Sequence, residues 1–168
     1  MSLFSPTFNT LRDLYINELR DLYSAETQLI DALPVMAEAA TSPELKLAFT
    51  SHLEETRGHA ERLERIFAQL GEEPSGETCA AMKGLIKEGS EYAEAGGDDH
   101  VRDAGIIGAA QRVEHYEIAA YGTARALAMR LGETDAAEIL QQTLDEESAA
   151  DETLTDIAES EVNELAAV

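Results

Sequence analysis

Apolar side chains recur along this chain at the spacings of an α-helix. From Leu11 onward, Leu14, Leu22, Leu29, Leu33 and Met36 fall three or four residues apart or at multiples of that step, which places them on one stripe of a helical cylinder. The pattern predicts a first helix over Pro6–Ala40, capped by Ser5 with Pro6 at its first position, and kinked near Pro34 where an amide donor is missing. Thr41-Ser42-Pro43-Glu44 reads as a stop and a restart, since serine caps, proline suits the first helical position and an acid suits the positive end of the helix. A second helix over Pro43–Leu70 turns Leu45, Phe49, Leu53, Thr56, Ala60, Leu63, Phe67 and Leu70 inward. After the loop signal of Gly71 to Gly76, a shorter helix is predicted over Glu77–Ala95, and Gly96-Gly97-Asp98 breaks the chain again. A long helix over Asp99–Leu131 carries Ile106, Ala110, Val113, Tyr121, Ala124 and Ala128 on its stripe, Gly132 ends it, and a last helix is predicted over Thr134–Leu165.

The joins at residues 41–42 and 132–133 are too short for anything but antiparallel neighbours, so the four long helices form two hairpins. The stretch between them is long enough to run back along a bundle. Two hairpins and one long crossover define an all-α, ferritin-like four-helix bundle, and 168 residues suit one domain spanning positions 1–168.

Acids interrupt the apolar stripes. Glu18 and Glu26 fall on the inner face of the first helix, and Glu114 and Glu117 on that of the third long one. A carboxylate on a buried face loses more hydration than packing returns unless a cation meets it. In an antiparallel hairpin, residues equidistant from the turn stand at the same height. Glu26 is matched in this way with Glu55 and His59 across the first turn, Glu117 with Glu147 and Glu114 with Asp151 across the second. His52-Leu-Glu-Glu to Ile66 also lies over Thr143-Leu-Asp-Glu to Ile157 at a constant offset of 91 residues, which carries Glu26 onto Glu117. The hairpins therefore read as duplicated halves that share a central site.

Oxygen-rich ligands with at most one imidazole favour iron or manganese over copper or a structural zinc, and a cluster of this size suits two ions. The candidate metal ligands are Glu26, Glu55, His59, Glu114, Glu117, Glu147 and Asp151. Whether His59 ligates stays open, as does the choice on the last helix, because the repeat aligns Glu55 with Glu146 while the apolar stripe favours Glu147. Six acids bring a charge of -6 against +4 from two divalent ions, so one or two are protonated, outside the ligand set, or needed only for trivalent ions. His115 lies about a quarter turn from Glu114, and His52 and His100 read as having no chemical part. Tyr121 reads as core, with a hydrogen bond to a ligand as the other possibility, and Cys79 as a small buried residue.

Composition narrows the partners. With 34 acidic and 12 basic residues the net charge is -22, and without a basic patch neither nucleic acid nor an anionic membrane is an expected partner. Only Lys46, Lys83 and Lys87 are lysines, and so acidic a chain suits concentrated salt, where screening removes self-repulsion. A lone cysteine excludes an intrachain disulfide, and the N-terminal residues lack a basic, hydrophobic leader. A soluble, cytoplasmic, salt-adapted protein is expected.

Several stretches carry a resemblance: LRDLYxxEL at Leu11–Leu19, AETQL at Ala25–Leu29, HLEETRGH at His52–His59, RLERIFAQLG at Arg62–Gly71, VEHYEIAAYG at Val113–Gly122 and LDEESAAD at Leu144–Asp151. Together they resemble the YciF/YciE-like branch of the ferritin-like superfamily, the DUF892 family, over nearly the whole chain. The resemblance implies a dinuclear metal site in the bundle and a stress-linked role. Glu114-x-x-Glu117 is also similar to the pair on the third helix of rubrerythrins, whose iron reduces peroxide. Those relatives carry Glu-x-x-His on the second helix, whereas the third residue after Glu55 here is Gly58 and the nearest imidazole is His59.

Two function classes follow. One is a di-iron or di-manganese oxidoreductase consuming peroxide or oxygen. The other is a stress-associated helical homodimer whose metal is structural.

Overall fold

The computed structural model describes residues 7–75 and 78–166. All their regular structure is helical: α1 (Leu11–Ala39), α2 (Pro43–Leu70), α3 (Ala80–Ala93), α4 (Asp99–Leu131), α5 (Thr134–Ile157) and α6 (Asn163–Ala166). Helix α1 begins at Leu11, where the apolar stripe begins, and not at the expected Pro6. The Thr10 side chain accepts from the Asp13 amide at 3.1 Å and the Asp13 carboxylate accepts from the Thr10 amide at 2.9 Å, a reciprocal box that fixes the first turn there. The expected cap at Ser5 and Pro6 lies outside the described residues. Helix α1 then continues through Pro34 to Ala39. The last helix is also not one piece. Helix α5 stops at Ile157, and Ala158–Val162 form a π-helical turn, with the Asn163 amide donating to the Ala158 carbonyl, before α6 resumes.

The middle boundaries coincide with the sequence pattern. Ser42 caps α2 with Pro43 in first position, while Gly71 (φ 69°) and Gly132 (φ 81°) end α2 and α4 in the left-handed conformation that glycine adopts without strain. The α1–α2 turn is pinned from across the bundle. Buried Asp103 of α4 accepts from the Thr41 amide at 2.9 Å and the Ser42 amide at 2.7 Å.

Helices α1 and α2 pack as one hairpin, α4 and α5 as the other; α1 also packs on α4 and α2 on α5, and α3 lies across α1 and α4. This is a ferritin-like bundle with α3 in the crossover. Its interior has three levels. One apolar core contains Leu29, Leu33, Leu45, Phe49, Ile106 and Leu154. The other contains Leu19, Leu22, Leu63, Phe67, Tyr121 and Leu140. Between them, at positions 26, 52 to 59, 114 to 117 and 147, the helices bury acids and imidazoles instead. No helix among the described residues is long and apolar enough to cross a membrane.

Candidate metal centre

Six side chains occupy the middle level. Glu26, His59, Glu117 and Glu147 are fully buried, Glu114 is 3% exposed and His52 is 7% exposed. Helix geometry explains who is included. At about 100° per residue, His52 and His59 at i and i+7 project within about 20° of each other, whereas Glu55 at i+3 is rotated some 60° from His52. Glu114 and Glu117 sit one turn apart on α4, and Glu147 faces them from α5.

The side chains form two overlapping groups. Ligating atoms of His52, Glu114, Glu117 and Glu147 lie within 4.8 Å of one another, as do those of Glu26, His59 and Glu147. Glu147 belongs to both. Its Oε1 lies 2.9 Å from His59 Nδ1 and its Oε2 lies 3.6 Å from His52 Nε2.

Each histidine is held from outside by an acid. His59 Nε2 is 2.8 Å from Glu146 Oε2, and Arg62 grips the same carboxylate, with Nη1 at 2.5 Å and Nη2 at 2.8 Å. His52 Nδ1 is 3.3 Å from Glu55 Oε2. These contacts leave Nδ1 of His59 and Nε2 of His52 turned inward, the orientation that outer carboxylates impose on metal-binding imidazoles. On the opposite side, the Tyr121 hydroxyl donates to Glu26 Oε1.

The inward atoms lack partners. Glu26 Oε2, His52 Nε2, His59 Nδ1, Glu114 Oε2, and both oxygens of Glu117 and of Glu147 are buried without a hydrogen bond. His59 Nδ1 is close to Glu147 but not aligned for one. Burial pushes the Glu26 carboxyl up, and pushes Glu114 and Glu117 well above the ordinary range. Burial opposes charge on the histidines too, yet Glu114, Glu55 and Glu147 outweigh it at His52, whose pKa rises to about 9. Glu147 and Glu26 do the same at His59, which rises to about 11. The outer acids shift the other way: Arg62 lowers Glu146 and His52 lowers Glu55. All five shifts at the centre favour the protonated form of the group concerned.

Of the seven residues expected from sequence, five meet here: Glu26, His59, Glu114, Glu117 and Glu147. Glu55 stands at the rim, its side chain 46% exposed, as the outer partner of His52. Asp151 is not gathered in either. One turn beyond Glu147, it accepts from Gln111 Nε2 at 3.2 Å and lies 3.4 Å from the exposed His115. Glu18 is only half-buried and lies away from both groups. His52, read from the sequence as chemically idle, is a full member, and its i, i+7 relation to His59 was the available signal. Glu146 and Glu147 divide the roles between them, outer partner and interior acid.

Residues 10–167 match a family described as a domain of unknown function, DUF892. The chain is 46% identical to protein YciF of Escherichia coli over 158 residues, covering 94% of this chain and 95% of that one. The crystal structure of the E. coli stress protein YciF superposes with a TM-score of 0.90, covering 93% of this chain and 99% of that one at 46% identity. YcfI of Rhodopseudomonas palustris, at 48% identity, gives 0.86 over 91% and 98% of the two chains. A ferritin-like, diiron-carboxylate protein of Bacillus anthracis shares the fold at a TM-score of 0.69, with 18% identity over 89% and 99% of the two chains. By its near-complete match and its close likeness to YciF, the chain belongs to the DUF892 family, built on a ferritin-like bundle.

Proposed function

We propose that Glu26, His52, His59, Glu114, Glu117 and Glu147 hold two divalent metal ions, iron foremost and manganese as the alternative, and that the centre consumes peroxide or oxygen. The observation that carries this reading is the position of Glu147, whose two oxygens face different groups and suit a bridging carboxylate. Charge supports it: four buried carboxylates are neutralised by two divalent ions with both imidazoles uncharged. Four glutamates and two histidines is also the ligand inventory of carboxylate-bridged dinuclear bundles. Here both imidazoles come from α2, so the absence of a histidine at position 58 removes nothing from the count.

Such a pair, when bound, supplies the electrons for reducing an oxidant. The protein's own part is positional. Glu146, itself fixed by Arg62, and Glu55 orient the two imidazoles; the Tyr121 hydroxyl holds one oxygen of Glu26 and leaves the other free. Access also favours chemistry over a purely structural ion. A cavity of about 170 Å³ between α2 and α5 is lined by Ser51, Glu55, Glu146 and Thr153 and reaches His52 and Glu114. Since the relative YciF is described as a stress protein, we extend to this chain a stress-linked role.

Anaerobic loading with ferrous iron, elemental analysis and timed addition of peroxide test this reading. Two ions per chain and oxidation much faster than that of free ferrous ion are expected. Two ions with slow oxidation would leave a structural metal as the better description.

A further inference from the structure

A second and larger cavity, about 410 Å³, enters the bundle where α3 crosses α1 and α4. Its wall is largely apolar and includes Leu33, Met36, Phe49, Ile86 and Val113. Small residues leave the space open. A Cβ added at Gly89 would sit 3.6 Å from Met36 Cε and 3.8 Å from Ala109 Cβ, in ordinary contact with both. The outer end passes Asp31 and Val35, which are exposed, and the inner end is closed by His52 and Glu114.

We propose that this cavity binds a small, uncharged, largely apolar organic molecule carrying one hydroxyl group, with the hydroxyl at His52 and Glu114 and the apolar body among the α1, α3 and α4 side chains. Size and character match small-molecule sites, which are apolar pockets of roughly 300–1,000 Å³ with a few convergent polar groups. The lining contains no lysine or arginine, and Asp31 and Glu114 stand at its two ends, with His52 Nε2 already 3.6 Å from Glu114 Oε2, so an anion finds no free counter-charge. A cation would lose its hydration against the apolar wall. A hydroxyl suits the inner end because it donates to the Glu114 carboxylate, the ring nitrogens of His52 being engaged by Glu55 and by the centre. The placement of the hydroxyl rests on the metal-centre reading; the apolar wall does not.

The test uses an uncharged fluorophore, N-phenyl-1-naphthylamine, with 1-decanol as competitor. Both metal-free and metal-loaded protein are expected to bind the fluorophore saturably at one site per chain, with decanol displacing it. Gly89→Leu and Ala109→Phe, which fill the cavity from α3 and α4, are expected to weaken binding at least tenfold while helicity and metal stoichiometry stay unchanged. In manganese-loaded protein the decanol protons beside the hydroxyl should relax faster than the terminal methyl protons. Non-saturable binding, or full binding in both filled variants, would overturn the proposal. Saturable binding with equal relaxation at the two ends would overturn the placement of the hydroxyl. Loss of metal binding with fluorophore binding intact would count against the metal centre alone.

Discussion

Nε2 of His59 lies 2.8 Å from Oε2 of Glu146, so it is Nδ1 that faces the interior. The contact explains how two adjacent acids on α5 serve different ends: Glu147 faces the centre and Glu146 fixes the imidazole beside it. Replacing Glu146 by Gln should weaken metal binding by about 10–100-fold and leave the stoichiometry at saturating metal unchanged. Glu147→Gln should instead lower the stoichiometry itself. Titration against a chelator of known strength separates the two; equal effects would remove the distinction between them.

Glu117 is buried with both oxygens unpartnered, so in the metal-free protein it is a liability. Glu117→Gln should abolish binding of at least one ion yet raise the stability of the metal-free fold by on the order of 1 kcal/mol, or about 2–4 °C in melting temperature for a chain of this size. Metal analysis and thermal unfolding of the same preparation check both halves. A destabilised metal-free variant would mean that Glu117 has a partner other than metal.

The raised pKa values of the central acids and imidazoles give the metal-free protein its pH dependence. Glu26, Glu114 and Glu117 are shifted above the ordinary 4.5, His52 from 6.5 to about 9 and His59 from 6.5 to about 11. All are raised, so each contributes stability that is complete below its unfolded value and is lost as pH rises through its folded value. The melting temperature of metal-free protein should therefore fall from pH 6.5 to about 9. Metal must displace the same protons, so the increase in melting temperature on loading should grow over that interval. Calorimetry with and without manganese reads both trends, and a metal-induced increase that shrinks with pH would contradict them.

A net charge of -22 on 168 residues should make stability salt-dependent. Repulsion between exposed acids is screened within about 3 Å at 1 M salt, so the melting temperature should climb between low and molar sodium chloride. A flat response would remove the salt-adapted reading.

Much of this was legible in the sequence because it depends on period and punctuation. The limits of α2 and α4 follow from Pro43, Gly71, Asp98 and Gly132, residues whose backbone preferences act locally. The height rule across each turn also located the acidic level, since it needs only helix rise and antiparallel packing. Rotation about the helix axis was less legible. Glu55 and His52 differ by some 60°, and which of them faces inward depends on how α2 is turned against α5, a tertiary property. The repeat contained a clue to this: the offset of 91 pairs Glu55 with Glu146, and both hold a histidine from outside. Asp151 misled because it shares its height with Glu114 but faces Gln111 and His115.

The most direct measurement is anomalous diffraction from crystals loaded with manganese. Two peaks per chain are expected, one among His52, Glu114, Glu117 and Glu147 and one among Glu26, His59 and Glu147, each bonded to a different oxygen of Glu147. A single peak, or two peaks that do not share Glu147, would contradict the bridged centre.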